Sequence, residues 1–421
     1  MPRKILLSFL FAVFFAAGYG ACWYSNIGSF ILSKNNIPSD VKNKNIPEIR
    51  IAANFPLSGD LAFYGNAFRD GILMATSEKG ELIKDKGTIS FDWGDNRFSP
   101  KDAITLFQRQ LLNKPTIYTS ALKPQVMAVN DAVAHENIPH FVWILDIHAN
   151  SATTTNNLRS WVSFKLESDV FIEYARAKKA RRVAIVILSL PSTEEQYGKV
   201  IIPALKENSE TTIFIERFTP NVSPDDFRVI AAKVGAFKPD LIMLNGFIPQ
   251  MVGLIRSLRP LGIIKQGNTL AALDMLDAAN VISPEEAEGI VVAAPPFILK
   301  PTEDQKAWSE RFNKLYGRQP PYHSAFAYDM GLTLIDTASR LNLPASSQDW
   351  QAALKATDTK GITGPIKFDQ DGSLVTTLKP AIYQNGKLVE LSPTASAIEV
   401  KPKVELSPKT ITTIKNKKHA K

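Results

Sequence analysis

From residue 48 to about residue 395, short β-branched runs alternate with longer stretches whose apolar residues recur at helical spacing. Ile49–Asn54 (IRIAAN) alternates and predicts a strand. Asp60–Glu78 follows, with Ala62, Phe63, Ala67, Phe68, Ile72, Leu73 and Ala75 on one face of a helix. Ile89–Trp93 and Thr116–Tyr118 read as the next strands, with a helix at Pro100–Leu112 between them. A helix at Val126–Glu136 then leads to the strand His140–Leu145. Strand–helix order repeated in this way predicts an α/β protein with mostly parallel sheets covered on both faces.

A second series begins after Trp161–Phe164. It runs helix Val170–Lys179, strand Val183–Leu188, helix Gly198–Asn208, strand Ile213–Phe218 and helix Asp225–Phe237. Strand Leu241–Leu244, helix Pro249–Leu258 and strand Ile290–Ala294 complete it. Helices at Thr302–Tyr316, Ala325–Leu341 and Asp349–Ala356 come next. Strands at Thr363–Asp369 and Leu378–Tyr383 follow, and Asn385-Gly386 marks a two-residue hairpin turn.

A body of roughly 350 residues exceeds what one hydrophobic core supports, so two lobes are expected. The division read from the pattern assigns 48–164 to a first lobe and 165–290 to a second. It returns 291–360 to the first, and gives 361–395 to the second lobe and hinge. Ligands of open parallel sheets bind beyond the carboxyl ends of the strands, which here means the cleft between the lobes.

The ends differ in kind from the body. Arg3 and Lys4 precede Ile5–Tyr24, twenty residues without a formal charge. At about 1.5 Å per residue such a run spans a bilayer core, so residues 1–24 are an export signal or a membrane anchor. Cys22, the single cysteine, follows Gly20-Ala21 and resembles the lipidated cysteine of a bacterial lipoprotein box, although Tyr19 stands where leucine is preferred. Residues 25–47 read as a spacer. The net charge of +8 resides at the ends: the tail 396–421 carries, from Lys401 onward, seven lysines against Glu405, whereas Ile5–Val400 sums to zero. That distribution gives no reason to expect nucleic acid, and the tail reads as disordered. One cysteine also excludes an intrachain disulfide.

Catalytic and cofactor motifs are missing from the sequence: no phosphate loop, dinucleotide fingerprint, His-Glu-x-x-His or Gly-x-Ser-x-Gly. His135, His140 and His148 fall on different elements and are expected as surface or core residues. No enzyme activity, metal or cofactor is expected. What does recur is small or polar residues at strand carboxyl ends. Ser58 lies in Pro56-Leu57-Ser58-Gly59, and Thr119-Ser120-Ala121 stands before a helix whose free amides could hold an anion. Asp146, Tyr197-Gly198 and Asn245-Gly246 occupy similar places.

Taken together, these segments resemble a known family. Residues 51–71 (IAANFPLSGDLAFYGNAFRDG), 89–103 (ISFDWGDNRFSPKDA), Glu195–Gly198 (EQYG), Pro239–Gly262, Glu288-Gly289, Phe326–Gly331 (FAYDMG) and 361–372 (GITGPIKFDQDG) carry the likeness. They are similar, in order and spacing, to the type I periplasmic solute-binding proteins of branched-chain amino acid and amide ABC transporters. The resemblance implies a bilobal, multiply hinged fold that closes over a small ligand, located in the periplasm or cell envelope and partnered by permease and ATPase subunits. It implies that Thr119, Ser120 and Ala121 hold a ligand carboxylate, and that Tyr64 and Tyr197 close over the ligand from the two lobes. Where leucine-binding members carry the acid for the α-amino group, this chain has Ala272. Asp146 or Asp274 could replace that acid; otherwise the ligand is not an α-amino acid. An envelope-anchored adaptor or ligand sensor on the same fold is the alternative.

Overall fold

The computed structural model describes residues 46–391. The segments read as export signal, with Cys22, most of the spacer, and the basic tail lie outside the described residues. No described helix is long and apolar enough to cross a membrane.

The first sheet has β1 (Glu48–Phe55), β2 (Thr88–Asp95), β3 (Ile117–Ala121), β4 (His140–Trp143) and β5 (Asn157–Leu158), in the order β2-β1-β3-β4-β5 and all parallel. The second contains β6 (Arg182–Leu188), β7 (Thr212–Phe218), β8 (Leu241–Asn245), β9 (Thr269–Ala271) and β10 (Ile290–Ala294). A short antiparallel pair, β11 (Asp358–Lys360) and β12 (Pro365–Lys367), stands apart. β13 (Lys379–Gln384) and β14 (Lys387–Glu390) then close the second sheet, in the order β14-β13-β10-β9-β8-β6-β7. β6 is buried at every residue after Arg182, as a strand covered on both faces requires. The β13–β14 hairpin turns on Asn385 (φ 51) and Gly386 (φ 72), the paired left-handed conformations that an Asn-Gly turn favours.

Chain crossings between lobes fall later than the pattern suggested. β10 pairs with β9 and β13, so residues 291–294 belong to the second sheet, not the first lobe. Residues 358–374 stay with the first lobe. The buried Asp329 carboxylate accepts from the Ile362 amide (2.6 Å), the Thr363 amide (2.8 Å) and the Thr363 hydroxyl (2.6 Å), and Arg159 bridges to Ser373 beside β5. Only β13 and β14 return. Ser163 caps the helix Phe164–Ala177, its hydroxyl accepting from the Lys165 amide.

The first lobe's core is closed by the helices Ala62–Lys79 and Tyr322–Arg340. They approach through paired glycines. A Cβ on Gly71 would stand 2.3 Å from the Ser324 carbonyl oxygen, and one on Gly331 would stand 2.6 Å from Cβ of Ala75. Gly71→Ala is therefore expected to cost roughly 1–3 kcal/mol, read as a lower urea midpoint with an unchanged slope. An unchanged midpoint would show that the two helices can separate freely.

Candidate functional site

The carboxyl ends of both parallel sheets face the interlobe boundary, and side chains from each lobe meet there. Tyr64, on the helix Ala62–Lys79, donates its hydroxyl proton to Asp274, which follows β9 in the second lobe. The Ile248 amide lies 3.4 Å from the same hydroxyl, and the Phe247 ring packs 5.5 Å from that of Tyr64. Burial, with the adjacent Asp274 charge, holds the Tyr64 phenol well above its ordinary pKa. Asp274 keeps part of its surface accessible, yet burial pushes its carboxyl up to about 6.

Asp277, one turn further on, accepts from the Tyr322 amide (3.2 Å) and contacts Nδ1 of His323 at 2.7 Å. An ionised carboxylate only accepts, so Nδ1 carries the proton. Tyr322 and His323 begin the first-lobe helix Tyr322–Arg340, which makes this a second link between lobes. Nε2 of His323 is buried without a hydrogen-bond partner. Tyr64 (5.1 Å), Phe68 (5.7 Å), Trp161 (5.2 Å) and Tyr322 (4.0 Å) surround the imidazole. Behind Asp274, Glu167 accepts from the Leu273 amide (2.7 Å) and from Nε2 of Gln196 (2.6 Å), and burial pushes its carboxyl up to about 7.

A third link lies on the other side. Lys123, at the start of the helix Lys123–His135, donates to Asp146 in its own lobe and to Glu195 of the second lobe at 2.9 Å. Burial opposes the ammonium charge, but these two carboxylates hold its pKa above the ordinary value. At the mouth a cavity of about 410 Å³ opens between the lobes, walled by Asp60, Phe63, Tyr64 and Arg318 on one side and Pro249 and Asp277 on the other. A second cavity of about 340 Å³, beside Arg50 and Gln110, borders no second-lobe residue and belongs to no interlobe site.

The residues expected from sequence are thus only partly brought together. Tyr64 and Asp274 meet. Asp146 is engaged by Lys123. Thr119 and Ser120 are inside β3, not in a loop after it, and point to opposite faces of the sheet. The Thr119 hydroxyl accepts from the Trp143 indole (3.0 Å), and that of Ser120 contacts Nε2 of the core residue His140 (2.8 Å). Both are fully buried, and Ala121 ends the strand. Tyr197 lies in the second lobe's core with Phe171 and Ile185. Ser58 donates to Asp95 (2.5 Å), and Asn245 accepts weakly from Thr193 (3.4 Å), at separate places on the rims. Lys123, Glu167, Phe247 and His323 were not read as site residues. A lysine at a strand's carboxyl edge, and a histidine in the chain's most apolar helix, were the available signals. Among the described residues no three His, Cys, Asp or Glu are grouped to hold a metal ion.

Two facing parallel-sheet lobes tied by buried polar groups agree with the sequence match, which runs over residues 48–387 to the family described as periplasmic binding protein. The chain belongs to that family. The Leu/Ile/Val-binding protein of Escherichia coli (strain K12) is 24% identical over 200 residues, covering 47% of this chain and 51% of that protein. The Leu/Ile/Val/Thr-binding protein of Salmonella typhimurium is 22% identical, over 47% and 52%. The chain therefore spans about half the length of the curated relatives it matches. Among solved structures, an ABC transporter solute binding protein from R. palustris in complex with benzoate superposes with a TM-score of 0.71 at 16% identity, covering 82% of this chain and 95% of that one. The substrate binding protein LivJ from Streptococcus pneumoniae, in complex with isoleucine, gives 0.68 at 19% identity, over 81% and 97%. These likenesses establish a shared periplasmic-binding-protein fold, the type I bilobal architecture that the sequence motifs implied.

Proposed function

We propose that this protein captures a small polar solute between its lobes in the periplasm or cell envelope and delivers it to the permease and ATPase subunits of an ABC importer. The observation that carries the reading is the meeting of buried and half-buried polar groups from both lobes at one boundary: Tyr64 with Asp274, His323 with Asp277, and Lys123 with Glu195. A ligand that adds contacts to both walls favours the closed arrangement by its differential affinity for it. The relatives' names, which specify branched-chain amino acids and benzoate, support small-molecule binding. Binding is assigned rather than catalysis, since the one buried serine–histidine contact among the described residues, Ser120 with His140, lies in the first lobe's core.

A thermal-shift screen of amino acids, amides and small carboxylates, followed by calorimetry, tests this. A ligand is expected to raise the melting temperature, and Tyr64→Phe is expected to weaken it about 10- to 150-fold, the effect of losing a hydrogen bond to a charged group. The Lys123 link favours a second reading, because the protein's own ammonium ties the lobes through Asp146 and Glu195. If no solute binds and pull-downs recover an envelope protein, an anchored adaptor or sensor replaces the importer component.

A further inference from the structure

Arg318 reaches the interlobe cavity from a short connection whose path is fixed at both ends. Gly317 (φ 67) ends the helix Glu303–Tyr316 in the left-handed conformation, its amide donating to the Asn313 carbonyl. Pro320 and Pro321 then restrict the chain up to the helix Tyr322–Arg340. The guanidinium itself is held in place. Nη2 donates to Asp70 at 2.6 Å, and the guanidinium carbon lies 5.2 Å from the Phe312 ring centroid and 6.0 Å from that of Tyr316. Nη1 is buried without a hydrogen-bond partner among the described residues. Arg69 donates to the same Asp70 at 3.2 Å, so two guanidiniums share one carboxylate and positive charge is in excess at this corner.

That charge borders the cavity of about 410 Å³, which is within the size range of small-molecule sites. Arg318 is the one cation on the cavity wall, and its side chain keeps 32% of its surface exposed. Apolar groups face the space from both lobes: Phe63 and Tyr64 from the first, Ile248, Pro249 and Val281 from the second. Two acids share the wall. Asp277 has both carboxylate oxygens engaged, by the Tyr322 amide and by Nδ1 of His323. Asp60 is exposed at the rim, where water and salt screen it.

The places where a ligand carboxylate was expected are taken. The Thr119 and Ser120 hydroxyls are buried and engaged within the first lobe. Lys123 lies between the Asp146 and Glu195 carboxylates, and Arg159 faces the carbonyl oxygens of Asp146 and Ile147. We propose that Arg318 is the specificity-determining residue of the cleft: its guanidinium anchors the carboxylate of a small organic acid at the mouth. The apolar body of that acid lies against Phe63, Tyr64 and Val281. A buried charged donor without an acceptor is costly, and the ligand's carboxylate supplies the acceptor. This assignment rests on the solute-binding reading above and adds the ligand class and its anchor.

The test is calorimetry on the full chain at neutral pH with three acids and their matched amides, run beside the thermal-shift screen. The pairs are benzoate and benzamide, 4-methylpentanoate and 4-methylpentanamide, and leucine and leucinamide. In a pair that binds, the acid is expected to bind at least about 10-fold more tightly than its amide. Arg318→Gln is expected to weaken the acid at least about 10-fold and bring it level with the amide. Arg69→Gln also takes a partner from Asp70 but lies outside the cavity wall, and it is expected to leave the acid preference in place. An amide binding as tightly as its acid would overturn the anchor and leave solute binding standing. So would an acid preference that survives Arg318→Gln or disappears equally in Arg69→Gln, or binding confined to solutes without a carboxylate. If no compound in the whole screen binds to a protein that melts cooperatively, the anchor and the solute-binding reading fall together.

Discussion

Asp277→Ala is expected to leave both lobes folded and largely unlatched. The carboxylate belongs to the second lobe and receives the Tyr322 amide and the His323 Nδ1 proton from the first. Its loss leaves the Tyr322 amide and the His323 Nδ1 proton without their acceptor beside the aromatic cluster. Breaking a buried, hydrogen-bonded pair of this kind costs about 3–5 kcal/mol, and that cost falls on the closed form alone. The ratio of closed to open molecules should drop by roughly 150- to 5,000-fold. Small-angle scattering would register a larger radius of gyration, and solute affinity would fall in proportion. Asp277→Asn keeps one acceptor oxygen and is expected to lie between the two. An Asp277→Ala protein with unchanged scattering would mean that the remaining links hold the lobes without this one.

The second large effect is a dependence of stability on pH. Glu167 has an ordinary pKa of 4.5, and burial raises it to about 7 in the folded protein. A folded acid with a raised pKa binds its proton more tightly than the unfolded chain does. Its contribution is therefore fully present below 4.5 and is lost as pH rises through about 7. The size is on the order of 3 kcal/mol. Asp274, raised from 3.8 to about 6, and Asp329, raised from 3.8 to about 7, act in the same direction. Glu78 and Asp95 are held below their ordinary values and act only under this window. Urea unfolding should thus give a lower stability at about pH 8 than at about pH 5, and Glu167→Gln should remove a share on the order of 3 kcal/mol from that difference. An identical pH difference in wild type and variant would show that Glu167 does not carry the buried proton.

Strands rich in β-branched residues were legible because burial on two faces demands continuous apolar character, as in β6. β9 was not, since three residues (Thr269–Ala271) are too few to display a period. The site was harder to read. Tyr64 and Asp274 each stood out singly, but their meeting spans 210 residues and depends on how the chain crosses between lobes, which local pattern does not encode. The Thr119-Ser120 reading failed on a small displacement: β3 runs to Ala121 instead of stopping at Tyr118, so hydroxyls expected in a loop became core groups of a strand. His323 was hidden because its helix begins at Tyr322, ahead of the apolar run from Ala325 that announced it.

The helix Ala62–Lys79 meets its main neighbour late in the chain: the Ser324 hydroxyl reaches the Ala67 carbonyl across 257 residues. Five second-lobe strands, β6 to β10, are by contrast consecutive in sequence. As the polypeptide folds, the second lobe can begin to organise from contiguous segments. The first must keep an apolar helix face uncovered until Tyr322–Arg340 arrives. Closing so long a loop is slow compared with local contacts, and the waiting face is the surface through which an unfinished molecule would aggregate. The interleaved chain path thus keeps the amino-terminal lobe, although synthesised first, waiting for a helix from the last third of the chain.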